Sequence, residues 1–210
     1  MKNKQILNEY ANWLDDLLEE YSKEHHENDQ KFDKIDFVEK YGYYITFSFD
    51  IQKMIKKYQL SPSSYNEINE RNINNVRFLY NLICKKMFGR NFMKKGSDLP
   101  LVIMCSDVND TKFWSYKGDI VNPHVHSIWI LNQGISIDLK KSILNTVESD
   151  TYNNFDFRDI HIDRITSYDP SVNAPSKIAT YTAKFIPFNT HELDITSDIR
   201  ILPEYNSNIR

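Results

Sequence analysis

A chain of 210 residues, 40% hydrophobic and 13% aromatic, is long enough to bury one core with an extension and too apolar to be disordered. Its formal net charge of -3 excludes a strongly basic polypeptide, and no apolar run approaches the ~20 residues that cross a bilayer. Cys84 and Cys105 make neither a disulfide framework nor a metal-binding pattern, so a reducing compartment is expected.

The opening Met1-Lys2-Asn3-Lys4-Gln5 leads into an amphipathic pattern with no signal-peptide stretch, and a cytoplasmic chain is expected. Ile6, Tyr10, Trp13, Leu14, Leu17 and Tyr21 recur at three- and four-residue steps and predict a helix over 3–27. His25 and His26 then read as exposed end residues in a polar stretch that ends near Asp33. Residues 43–49 are aromatic and β-branched and predict a strand; a short helix follows over 51–58. Pro62, Ser63 and Ser64 mark a turn into a longer helix that reaches about Met87, with Ile68, Val76, Leu79, Leu82 and Ile83 inward and Gly89 and Gly96 at its exit.

Residues 101–108 predict a second strand, Asn109 to Pro123 a polar hairpin region, and 124–131 a third strand antiparallel to the second. A helix over 138–148, a strand over 159–165 and a helix from Pro175 to Phe185 follow, with one more short strand near Asp198–Leu202. Mixed elements with a hairpin in the middle define the α+β class: a central antiparallel sheet with flanking helices. Charge is uneven. The segment 50–100 holds Lys53, Lys56, Lys57, Arg71, Arg77, Lys85, Lys86, Arg90, Lys94 and Lys95 against Asp50, Glu67, Glu70 and Asp98, and is the stretch expected to face a polyanion.

His124 and His126 carry chemistry by their spacing. Residues i and i+2 of a strand share a face, so two imidazoles stand side by side and can share one divalent ion. Tyr181 and Lys184, three apart on a helix, also share a face. A phenol is a nucleophile toward phosphorus, and a lysine at that spacing activates it or clamps a phosphate oxygen. The bland alternatives are polar residues on an exposed strand and a half-buried tyrosine beside a snorkelling lysine.

The order is an aromatic strand (43–49), then Pro123-His124-Val125-His126-Ser127-Ile128-Trp129, then Ile178-Ala179-Thr180-Tyr181-Thr182-Ala183-Lys184-Phe185. Over about residues 43–186 it resembles the three-motif layout of the HUH endonucleases, and within them the single-tyrosine rolling-circle replication initiators. The resemblance implies a ferredoxin-like (RRM-like) sheet in a nuclease domain over 36–210, after an N-terminal helical extension over 1–35. It implies Tyr181 as the nucleophile, Lys184 as its companion, and His124 and His126 as ligands of Mn²⁺ or Mg²⁺. A third ligand is expected on the neighbouring strand, with Asp107 first, because the end of the second strand should lie beside the start of the third, and Asp119 second; here the sequence departs from the family, whose usual glutamate is absent. Lys177 stands where a second tyrosine would be, so one nucleophile is expected. Lys53, Lys56, Lys57 and Lys177 are the expected DNA contacts.

The implied activity is site-specific nicking of single-stranded DNA through a 5′-phosphotyrosine, with strand rejoining. The implied partners are single-stranded or hairpin origin DNA and a host helicase and polymerase, in a bacterial, archaeal or virus-infected cell. No Gly-X4-Gly-Lys-Ser/Thr pattern marks a helicase within this sequence. Three other readings stay open: an origin-binding module that does not cut, a related relaxase or transposase, and a metal-dependent hydrolase that uses water. His161 and Asp163 share a face of the fourth strand. Tyr43, Tyr44, Phe47, Phe49 and Trp129 are candidates for base stacking, though aromatic residues on strands are more often core.

Overall fold

Strict alternation along the first strand, β1 (Gly42–Phe49), divides the molecule into two sides. Tyr43, Ile45, Phe47 and Phe49 are buried in one apolar cluster, whereas Tyr44, Thr46 and Ser48 between them are only partly buried and point the other way. The computed structural model describes residues 2–26, 33–62, 64–107, 120, 122–152, 154–186 and 199–204. The predicted Asn109–Pro123 hairpin region lies almost wholly outside them, as do Asp119 and His191.

The sheet has five strands in the order β4-β1-β3-β2-β5, where β2 is Leu101–Asp107, β3 is His124–Ile130, β4 is Phe157–Arg164 and β5 is Ile199–Leu202. Every neighbouring pair is antiparallel. The protein is therefore α+β, as expected. The first four strands and their connecting helices follow the β-α-β-β-α-β order of ferredoxin-like folds, with β5 added beyond β2.

Helices α3 (Ile51–Tyr58), α4 (Tyr65–Phe88) and α5 (Leu139–Glu148) cover one face. They bury Met54, Ile68, Val76, Leu79, Ile83 and Ile143 against Phe47, Val102, Met104, Val125 and Trp129. Asp50 and Asp138 cap α3 and α5 by accepting from the amides of Lys53 and Lys141. Gly89, at a φ of 79°, ends α4 in a conformation that a side chain disfavours.

The other face is covered by α1 (Lys2–Glu24), α2 (Lys34–Tyr41) and α6 (Lys177–Ala183). Ala11, Leu14, Leu18 and Tyr21 of α1 share a core with Phe37, Val38, Ile103, Ile128, Ile130, Ala179 and Ala183. Of the stripe read from the first helix, Leu14 and Tyr21 are buried here and Tyr10 and Leu17 pack against this core, whereas Trp13 is exposed and Ala11 and Leu18 face inward instead. Ser176, one residue after Pro175, caps α6 through the amide of Ala179.

Two local expectations are corrected. The polar stretch ending near Asp33 leads into α2, which Asp33 caps by accepting from the amides of Ile35 and Asp36. Gly42 joins α2 to β1 where a Cβ would collide with the Val38 carbonyl oxygen. His25 is not an exposed end residue: its ring stacks on Tyr21 and its two nitrogens lie 2.8 Å from Tyr21 O and 2.7 Å from Ser97 O.

Candidate metal centre and its tyrosine

The β2–β3 register sets Asp107 directly opposite His124 and Cys105 opposite His126. Counting by twos, forward from Ile103 and back from Ile128, which belong to the α1–α6 side, places Asp107, His124 and His126 on that same side. Among the described residues these three form a group whose ligating atoms all lie within 4.8 Å of one another. Asp107 is 1% exposed, His124 7% and His126 2%.

The hydrogen bonds constrain the rings. His124 Nδ1 lies 2.8 Å from the Asn122 carbonyl oxygen, which can only accept, so this nitrogen carries the proton. In the neutral ring Nε2 is then a bare lone pair, yet it sits 2.6 Å from a carboxylate oxygen, Asp107 Oδ2. Two acceptors that close require a positive charge shared between them, either a proton or a metal ion.

His126 faces the same oxygen. Its Nε2 is buried and lies 3.5 Å from Asp107 Oδ2. Its Nδ1 lies 3.2 Å from Thr46 Oγ1. Burial holds the His126 imidazole below the usual histidine range; Asp107 opposes this, while His124 and Lys184 add to it. The neutral ring is the form that ligates a metal. One carboxylate and two imidazoles therefore fit a divalent ion, and the set does not single out which.

Tyr181 and Lys184 close over this group. The Tyr181 ring is 50% exposed, and its centroid lies 5.0 Å from that of His126 at 67°. It also meets the ring of Tyr44 edge-on at 6.0 Å. Lys184 Nζ lies 4.0 Å from the Tyr181 ring centroid and 3.7 Å from Asp107 Oδ2. Lys184 directly follows the last residue of α6. Residues scattered over positions 107 to 184 thus meet at one place.

Three of the four expected DNA contacts lie across the sheet from this group, and the fourth, Lys177, stands on α6 one turn before Tyr181. Lys53, Lys56 and Lys57 belong to α3, whose buried Ile51 and Met54 sit in the core on the opposite side of the sheet. Lys53 Nζ donates to the Phe155 carbonyl at 3.0 Å, and Lys57 Nζ pairs with buried Asp156 at 2.9 Å. Lys56 is exposed. Lys177 opens α6 and pairs with Asp169 at 2.6 Å.

Of the aromatic candidates, Tyr43, Phe47, Phe49 and Trp129 are buried in the core on the α3–α5 side, and Tyr44 stands beside His126. His161 pairs with Asp163 at 2.7 Å on the exposed strand β4. Sequence reasoning overlooked Thr46 and Asn122. The alternation of β1 marks Thr46 as facing opposite to Phe47, but only the register shows that it abuts His126. Comparison with protein-family models, with curated proteins and with solved structures returns no match.

Proposed function

We propose that this protein nicks single-stranded DNA with Tyr181 as nucleophile and a divalent ion held by Asp107, His124 and His126, in the manner of an initiator of rolling-circle replication. The observation that carries the reading is the convergence of a half-exposed phenol, a lysine ammonium and a buried Asp-His-His group on one face of the sheet. Few chemistries call for a tyrosine beside two imidazoles that share a carboxylate.

In this reading the Tyr181 oxygen attacks a DNA phosphorus. The bond to the 3′ oxygen breaks, the phenolic proton ends on that oxygen, and a 5′-phosphotyrosine remains. Asp107, His124 and His126 would hold the ion, which when bound would supply positive charge near the nonbridging phosphate oxygens. Lys184 brings a second positive charge to the phenol and to the same phosphate. Exposure of the Tyr181 ring admits a DNA strand, whereas burial of the ligands keeps water from competing for them. The covalent link retains the phosphodiester's energy, so the strand can be rejoined without ATP.

The test is incubation with Mn²⁺ and a diverse pool of labelled single-stranded oligonucleotides, read on a denaturing gel beside Tyr181→Phe. A protein-linked DNA band that disappears in the variant is expected. Cleavage without an adduct in either protein would replace this reading with a water-using hydrolase, and binding without cleavage would leave an origin-binding module.

A further inference from the structure

The two histidines are held by different kinds of partner. His124 Nδ1 faces a backbone carbonyl, which accepts and never donates, so its tautomer is set by the main chain. His126 Nδ1 faces the Thr46 hydroxyl at 3.2 Å, which can do either. If the hydroxyl accepts from Nδ1–H, Nε2 presents a lone pair toward Asp107. If it donates to Nδ1, Nε2 carries the proton and cannot bind an ion.

Thr46 occupies a constrained place. It lies on the central strand β1, directly opposite His126 on β3 and opposite His161 on β4. Its neighbours across the chain, Ile45 and Phe47, are fully buried in the other core, which fixes the strand that carries it. The His126 ring is itself nearly sealed and is flanked by Tyr44, 6.0 Å away and stacked, and by Tyr181. Its other ring nitrogen, Nε2, faces Asp107 Oδ2 at 3.5 Å.

We infer that Thr46 is a positioning residue: its hydroxyl accepts from His126 Nδ1–H and so turns Nε2 toward the ion. The inference rests on the metal-site reading above. Outer partners of this kind orient a ligating imidazole and raise its basicity, and losing one typically costs about 10–100-fold in metal affinity. Thr46→Val keeps the shape and removes the acceptor. Thr46→Ser keeps the acceptor.

The experiment measures the affinity of the full chain for Zn²⁺ and Mn²⁺ by calorimetry, without DNA, for wild type, Thr46→Val, Thr46→Ser and His126→Ala. Circular dichroism checks that each is folded. Nitrogen-15 spectra of the zinc-loaded proteins report which His126 nitrogen holds the proton. The expected result is tight binding in wild type and Thr46→Ser, a loss of about 10–100-fold in Thr46→Val, and a larger loss in His126→Ala. In the loaded wild type, Nδ1 of His126 should carry the proton. Equal affinity in wild type and Thr46→Val, or a proton on Nε2 in the loaded wild type, overturns the role of Thr46 and leaves the metal site standing. Absence of binding in wild type, with none lost in His126→Ala, overturns both.

Discussion

Asp15 of α1 and Ser176 at the head of α6 are joined twice, with the Ser176 amide and hydroxyl each donating to the Asp15 carboxylate at 2.7 Å. Tyr168 adds a third donor at 2.9 Å, and all three groups are buried. The helix that ends beside the candidate metal centre is thus anchored at its start to the N-terminal helix. Asp15→Ala leaves these donors without an acceptor and is expected to destabilise the fold by about 1–3 kcal/mol. Urea denaturation measures this, and a Ser176→Ala background should remove part of the effect. Full additivity of the two changes would refute the coupling.

Lys184 sits between the phenol and the candidate metal ligands, so its removal should act in opposite directions on two quantities. On the proposed function, Lys184→Met is expected to slow Tyr181 adduct formation by about 100-fold, the scale seen when one group that stabilises developing charge is lost. Divalent-ion affinity should hold or rise a few-fold, because a cation 3.7 Å from Asp107 Oδ2 has gone. Rapid-quench gels and calorimetry measure the pair. A parallel fall in both would mean that Lys184 merely supports the fold.

The α3 lysines separate by their partners. Asp156 is fully buried and takes Lys57 at 2.9 Å, the Tyr58 hydroxyl at 2.8 Å and Asn75 Nδ2 at 3.2 Å. Lys57→Ala is expected to cost about 1–3 kcal/mol of stability. Lys56→Ala, at a position likewise exposed but outside the Asp156 cluster, should stay within about 0.5 kcal/mol. Thermal melts of the two variants distinguish them. If Lys56 meets phosphate, its loss also lowers the salt slope of DNA binding by about one.

Glu19 ties α1 to α2. Hydrogen bonds from Lys23 and Lys34, at 2.5 Å and 2.6 Å, lower its carboxyl from 4.5 to about 2. A carboxylate depressed in the folded state binds its proton more readily when unfolded. Its contribution is therefore complete above about pH 4.5 and disappears as pH falls toward 2. Glu19→Gln should lower stability by a few tenths of a kcal/mol at neutral pH, since the pair is partly solvated. The two proteins should converge in acid. Urea midpoints at a series of pH values test this, and a gap that persists at the acid end contradicts it.

Much of the centre was legible because a strand has a period of two. Alternation alone puts His124 and His126 on one face, and a tight antiparallel pairing puts Asp107 at their level. The α+β class likewise follows from the order of the elements. The side of the sheet that each helix takes is a different matter. Lys53, Lys56 and Lys57 look well placed in a basic segment, yet α3 lies across the sheet from the histidines because Ile51 and Met54 belong to the α4 core. Neither Asp15 nor Thr46 advertises itself. Each acquires its role from a partner that lies 161 or 80 positions away along the chain.

The pairing of Asp107 with His124 has a mechanical corollary. Both residues stand at the ends of their strands, where β2 leaves the sheet and β3 enters it. An ion gripped by both would act as a clasp on the mouth of that hairpin. Loading the site would then slow the opening of the adjacent rungs, and the amides of Ser106 and Val125 would exchange with deuterium more slowly. A catalytic ion would thereby double as a rivet for the very backbone that aims it.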